Sequence, residues 1–134
     1  MLVLSVDSSY STATCALIKD DKILAEINLN DKRQHSIILM RLIDSILKEY
    51  EIDINDIDAF IISRGPGSFT GLRIGMATLK GLAFASKKPL ISVSTLDALA
   101  YNSISFQGII CPIMDALRDN IYTCLYKNEN NNLT

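Results

Sequence analysis

A mixed α/β lobe, in which three antiparallel strands are followed by alternating helices and strands, is the fold class the sequence predicts. Three observations predict it. Short β-rich runs separated by polar turns occupy the chain as far as Leu29. From Ser36 the apolar spacing changes to that of a helix, and beyond Ala59 compact apolar runs alternate with longer helical segments.

The elements follow in order. Leu2 to Val6 is an apolar run that ends at Asp7-Ser8-Ser9, a strand leading into a polar turn. Thr12 to Ile18 and Ile23 to Leu29 are separated by Lys19-Asp20-Asp21-Lys22, which reads as a hairpin. Leu39, Leu42, Ile43, Ile46, Leu47 and Tyr50 form one apolar stripe, so a first helix is expected from Ser36 to Tyr50. Ile37 falls on its opposite side and Met40 at the stripe's margin. Ala59 to Ser63 reads as a buried strand, Arg64-Gly65-Pro66-Gly67-Ser68 as a turn, and Phe69 to Ser86 as a second helix stopped by Pro89. Leu90 to Val93 predicts another buried strand, Ser94-Thr95 caps a short helix through Tyr101, and Ile109 to Met114 pairs with Ile121 to Tyr126. The order is βββαβαβα, then two strands. It predicts a lobe with a mixed five-stranded sheet over residues 1–105 and the start of a second, similar lobe over 106–134. The polar tract from Lys127 to Thr134 is expected either to fray or to mark a second lobe cut short. This succession is the ribonuclease-H-like arrangement found in each lobe of actin-like ATPases, a fold analogy that carries no function by itself.

Composition narrows the classes. An apolar content of 49% over 134 residues suits a globular core and excludes a disordered tail or coiled coil. With 13 basic and 15 acidic residues the net charge is -2, so no basic excess advertises nucleic-acid binding. Cys15, Cys111 and Cys124 form an odd set without a Cys-x-x-Cys pair, which argues against a disulfide framework or zinc site and for a reduced, cytoplasmic location. The start lacks the pattern of a signal peptide. The uncharged stretch Ala98 to Met114 contains Asn102, Gln107, Gly108 and Pro112, so no membrane association is expected.

The most specific segment is Ser63-Arg64-Gly65-Pro66-Gly67-Ser68-Phe69-Thr70-Gly71-Leu72-Arg73-Ile74-Gly75. Glycines at a strand-to-helix turn let backbone approach an anion, and the N–H groups of the following helix can bind it. A P-loop would need Gly-Lys-Ser/Thr and a dinucleotide fingerprint would need glycine in place of Thr70. The alternative is a tight turn capped by Ser68, with Gly71 and Gly75 allowing close helix packing. Asp7 likewise reads either as a magnesium-orienting carboxylate or as an Asx-type turn, with Ser8, Ser9 and Thr12 beside it. The candidate phosphate or nucleotide residues are Asp7, Ser9, Arg64, Gly65, Gly67, Ser68 and Gly71. His35 is the single histidine, so one chain cannot supply two histidines to a metal. No catalytic residue and no metal ligand is assigned.

The second helix has an unusual surface. Leu72, Met76, Leu79 and Ala83 form one apolar stripe, with Gly71, Gly75, Thr78, Leu82 and Ala85 beside it. Arg73, Lys80 and Lys87 recur every seven residues with Ala77 and Phe84 between them, a basic face studded with apolar groups. Between Ala59 and Leu96 there are five basic residues and no acidic one; between Asp44 and Asp58 there are six acidic residues and one lysine. Either the two helices pair internally or they present adjacent patches of opposite sign to a partner.

The Arg-Gly-Pro-Gly-Ser-Phe-Thr-Gly-Leu-Arg string strongly resembles the TsaB (YeaZ) family, the non-catalytic subunit in synthesis of threonylcarbamoyladenosine on tRNA. The resemblance extends to Leu4-Ser5-Val6-Asp7-Ser8-Ser9, Gln34-His35-Ser36, Val93-Ser94-Thr95-Leu96, and Asp115-Ala116 with Ile121-Tyr122, from Met1 to about Tyr126. It implies a pseudoenzyme whose first two helices pack against a TsaD-type catalytic paralogue, with Ile37, Met40, Arg73, Ala77, Lys80 and Phe84 on the partner face. It implies a TsaE-type P-loop ATPase in the complex, ATP or ADP and Mg in the assembly, tRNA reached through that assembly, and a homodimer when the paralogue is absent. Two departures stand out. The family commonly has Asp-Ala-Arg where Leu117 follows Ala116 here, and its second lobe extends well beyond residue 134. The rival expectation is a stand-alone ATP-binding phosphotransferase or a glycoprotease-like enzyme of the same superfamily.

Overall fold

The computed structural model of the chain describes residues 1–30 and 35–134, the side chains of residues 35–37 excepted. Strands β1 (Leu2–Asp7), β2 (Ala13–Lys19) and β3 (Lys22–Leu29) form the antiparallel meander, and β4 (Ala59–Ser63) and β5 (Leu90–Val93) add parallel strands. The sheet order is β3-β2-β1-β4-β5. Register places Ala25, Leu17, Leu4, Phe60 and Leu90 in one row across the sheet. Ile27, Cys15, Val6, Ile62 and Ser92 form the next row two residues along, so the same face of every strand is presented together. Helices α1 (His35–Glu49) and α2 (Phe69–Ser86) cover that face. Leu4, Leu17, Phe60 and Ile62 are thereby removed wholly from solvent.

In α1, Leu39, Leu42, Ile43, Ile46 and Leu47 are buried as the stripe predicts. Tyr50 is a correction: it lies beyond the end of α1, is exposed, and donates its hydroxyl to the Leu24 carbonyl at 2.7 Å. The acidic run is largely engaged locally. Asp44 pairs with Lys48 at 2.7 Å, Asp53 and Asp56 form a capping box around a short 3-10 turn, and Asp58 accepts the Leu2 N–H at 2.7 Å. Among the described residues no ion pair joins α1 to α2.

Ser68 caps α2 by accepting the Gly71 N–H, and the helix ends at Ser86 as expected, with Lys87 as its C-cap. Lys87 adopts a left-handed conformation (φ 56°), and Lys88 N–H reaches the Ala83 carbonyl at 3.0 Å to complete the cap. The buried line of α2 is Gly71, Gly75, Leu79 and Ala83, while Leu72 and Met76 are only half-buried, which corrects the apolar stripe read from sequence. Strand β5 is another correction. It is the edge of the sheet and half exposed, not buried.

Ser94 caps α3 (Thr95–Tyr101). Beyond it the predicted strand Ile109–Met114 is two strands, β6 (Gly108–Ile110) and β7 (Ile113–Leu117), because Pro112 has no N–H to give a ladder. β7 pairs with β8 (Asn120–Thr123), and β6 pairs with β9 (Tyr126–Glu129), which also pairs with β10 (Asn132–Leu133). Ile110 faces Tyr126 and Ile113 faces Thr123, so both pairings keep one register and form a single hairpin interrupted at Cys111–Pro112. Buried Asn128 donates to the Ile104 and Phe106 carbonyls at 2.6 and 2.5 Å, holding the connector onto these strands. Tyr126 donates its hydroxyl to Asp97 at 2.5 Å, tying β9 to α3.

Candidate functional site

The glycine turn and the β1–β2 turn close on each other. Asp7 Oδ1 accepts the Ser9 N–H at 2.8 Å, an Asx turn, and also the Ser63 hydroxyl at 2.6 Å. Ser68 N–H donates to the Ser9 carbonyl at 2.6 Å, and the Ser8 hydroxyl donates to the Gly71 carbonyl at 2.9 Å. A Cβ on Gly67 would stand 2.2 Å from the Ser9 carbonyl oxygen, and one on Gly71 would stand 2.0 Å from that of Ser8. On Gly75 it would meet the Ser8 hydroxyl at 2.2 Å. Glycine is required at these places because α2 lies directly on the turn. Of the seven candidate phosphate residues, Asp7, Ser9, Gly67, Ser68 and Gly71 come together, whereas Arg64 and Gly65 do not join them. Arg64 N–H donates to the Val93 carbonyl and the Gly65 carbonyl accepts from Thr95. The oxygens facing the contact are the Ser8 and Ser9 carbonyls, the Ser8 hydroxyl and the Asp7 carboxylate. The Ser9 hydroxyl is itself buried without a partner.

The outer face of α2 is built differently. Arg73, Ala77, Lys80 and Phe84 are exposed along one row, Phe84 to 87%. Beside them a depression of about 410 Å³ is lined by Arg64, Phe69, Leu72, Arg73, Met76 and Lys80, among others. Its floor is apolar and three cations stand around it. The Arg73 guanidinium lies 4.0 Å from the centre of the Phe69 ring, a cation–π contact that fixes its direction. None of the three cations has a carboxylate partner among the described residues. Arg64, placed by sequence among phosphate contacts, belongs to this face. Met40 is exposed on α1. The side chain of Ile37 lies outside the described residues. Sequence reasoning missed Phe69, Leu72 and Met76 as lining residues, although their spacing along α2 places them beside Arg73.

A second cleft, of about 620 Å³, lies between the β1–β2 and β4–α2 turns on one side and the β7–β8 hairpin on the other. Tyr10, Phe69 and Tyr122 supply aromatic walls, with Asp115 and Leu117 opposite Ser68. Asp115 accepts the Leu117 N–H at 2.8 Å, and Leu117, Arg118 and Asp119 all have positive φ at the hairpin tip. Burial, reinforced by the hydrogen bond to Asp97, raises the Tyr126 hydroxyl above its ordinary pKa. Burial pushes the Cys15 thiol up to about 12. Among the described residues no three His, Cys, Asp or Glu side chains converge on one point. No helix among them is long and apolar enough to cross a membrane.

Comparison with known proteins gives this geometry relatives. The family model described as TsaD, tRNA N6-adenosine threonylcarbamoyltransferase, matches residues 22–134. The chain is 38% identical over 130 residues to the tRNA threonylcarbamoyladenosine biosynthesis protein TsaB of Bacillus subtilis, covering 97% of this chain and 57% of that protein. It is 31% identical over 135 residues to the protein of the same name from Escherichia coli, covering 99% of this chain and 58% of that one. It superimposes on YeaZ from Pseudomonas aeruginosa with a TM-score of 0.88 at 28% identity, over 99% of this chain and 63% of that chain. RuvC of T. thermophilus, in complex with a Holliday junction substrate, shares the fold alone, with a TM-score of 0.52 at 8% identity over 78% of this chain and 73% of that one. The chain spans a little over half the length of the two TsaB proteins.

Proposed function

The chain belongs to the TsaB (YeaZ) family of the actin-like, ribonuclease-H-like superfamily, and on that premise we propose that it is a non-catalytic scaffold subunit in tRNA threonylcarbamoyladenosine synthesis. It pairs through the outer face of α2 with the TsaD-type catalytic paralogue, which transfers threonylcarbamoyl to tRNA adenosine. One observation carries the reading: Arg73, Ala77, Lys80 and Phe84 form an exposed row over an apolar depression, with cations that no carboxylate among the described residues neutralises. Apolar centre with basic rim is the composition of a protein interface. In the cytoplasm the assembly includes a TsaE-type ATPase with its ATP or ADP and Mg, and tRNA meets the assembly rather than this chain alone. Without the paralogue two copies associate through the same helices.

The non-catalytic part rests on the filled turn. Asp7 is engaged by Ser9 and Ser63, and the glycines pack on carbonyl oxygens. The paralogue without this subunit should transfer threonylcarbamoyl poorly, the pair should transfer it well, and this chain alone should not transfer it. Lys80→Glu should weaken affinity for the paralogue at least tenfold in titration calorimetry, with circular dichroism unchanged. Unaltered affinity would remove α2 from the interface. The 620 Å³ cleft beside the α2 N-terminus is the observation that favours the phosphotransferase rival. Micromolar binding of Mg-ATP to this chain alone would support that rival, and no binding is expected.

A further inference from the structure

The cleft of about 620 Å³ is walled by aromatic residues from three separate elements: Tyr10 from the β1–β2 turn, Phe69 from the first turn of α2 and Tyr122 from β8. All three are exposed. One aromatic ring in water needs no explanation, but three rings brought from distant segments to one hollow have the composition of a ligand site. Asp115 is the one charged residue that lines the cleft, and no Lys, Arg or His does so among the described residues. One of its carboxylate oxygens accepts the Leu117 N–H at 2.8 Å, which holds the group at the hairpin tip. No cation pairs with Asp115 among the described residues. Arg73, 4.0 Å from the centre of the Phe69 ring, lines the depression on the outer face of α2 and not this cleft.

We propose that this cleft binds an organic ammonium group, with Asp115 as its counter-ion and Tyr10, Phe69 and Tyr122 as its walls. The face of an aromatic ring is electronegative and attracts a cation, the more so where water is displaced, and rings grouped around a hollow are the usual seat of alkylated ammonium ligands. A carboxylate beside the rings adds Coulomb attraction. A phosphate would meet the reverse field, one negative charge and no base to pair with. An uncharged apolar group of the same shape would fill the hollow and gain nothing from Asp115. Only Phe69 lines both this cleft and the depression on the outer face of α2, so occupancy of the cleft is separable from pairing with the paralogue.

The test titrates choline into the isotope-labelled chain and follows backbone amides by NMR. Dimethylbutanol, the neutral carbon isostere of choline, and pyrophosphate are the other two probes. Choline should give saturable shifts confined to Thr70, Ala116, Tyr122 and their neighbours, with an affinity on the order of 1 mM for so small a ligand. The isostere should bind at least about tenfold more weakly. Asp115→Asn and Tyr122→Ala should each weaken choline about fivefold or more, with the amides of β1 to β5 unmoved as the check on the fold. Tyr10→Ala, a change in a turn, repeats the aromatic arm should Tyr122→Ala disturb the hairpin. Equal affinity for choline and its isostere, or for choline in wild type and Asp115→Asn, overturns the ammonium site and leaves an apolar hollow. Saturable shifts of the same residues by pyrophosphate but not by choline assign the cleft to an anion and overturn it equally, as does the absence of any saturable shift with choline. None of these results touches the pairing with the paralogue, because this chain alone is titrated.

Discussion

Leu4, Leu17 and Phe60 of the first sheet are wholly withdrawn from solvent, whereas Ile109, Ile113, Leu117 and Ile121 in the strands beyond α3 are each more than half exposed. Both regions are strands that carry large apolar side chains. What differs is the cover. α1 and α2 lie across one face of the five-stranded sheet, while neither belongs to the closely packed neighbours of β6 to β10. The second region is held instead by polar contacts, chiefly Asn128 to the connector and Tyr126 to Asp97. A strand's residues make it a strand; burial depends on which element is laid upon it.

The first sheet, being covered, is the more sensitive to substitution. Phe60→Ala should cost about 4 kcal/mol in urea denaturation, since a fully buried ring leaves a cavity between sheet and helices. Gly71→Ala should cost about 3 kcal/mol, because its Cβ would stand 2.0 Å from a backbone oxygen that can move only with the turn. Tyr126→Phe should cost about 1 kcal/mol, read as faster hydrogen exchange in β9 with β1 and β4 unchanged. Ile121→Ser should shift stability by less than about 0.5 kcal/mol and reduce aggregation. A cost near that of Phe60→Ala would show that β8 is covered after all. The smallest effect is chemical. A thiol reagent should label Cys111 and Cys124 quickly and reach Cys15 only on unfolding. With its pKa near 12, Cys15 should stay protonated and unreactive through pH 10.

Most of the five-stranded sheet and its helices was legible because local chemistry and tertiary environment agree there. Ser68 announces the start of α2, and the strand–helix alternation leaves few ways to wind the chain. Where they disagree, sequence misleads. The apolar pattern favours Leu72 and Met76 as the buried line of α2, yet Gly71 and Gly75 are buried because Ser8 sits on them. Tyr50 fits the helical spacing but is used as a strut to β3. β5 is apolar enough for a buried strand and lies at an edge, a matter of topology that four residues cannot declare. Beyond α3, one proline divides what reads as a continuous apolar run. The row Arg73, Ala77, Lys80 and Phe84 is exposed, as its spacing along α2 implies, but the depression beside it was not legible, since a hollow needs several neighbours considered together. The phosphate candidates show the opposite limit. Their proximity in space was legible, and the carbonyl oxygens that face them were not.

The glycine contacts beneath α2 also set an aim. An 18-residue helix is about 27 Å long, and Gly67, Gly71 and Gly75 hold only its first two turns against Ser8 and Ser9. They act as the fulcrum of a lever whose far end carries Phe84. A tilt of about 5° at the fulcrum would swing that end by about 2 Å, roughly a third of the pitch of a facing helix. Substitutions at Ser8 would therefore reorient the Phe84 end more than 10 Å away, so the turn sights the surface that α2 presents.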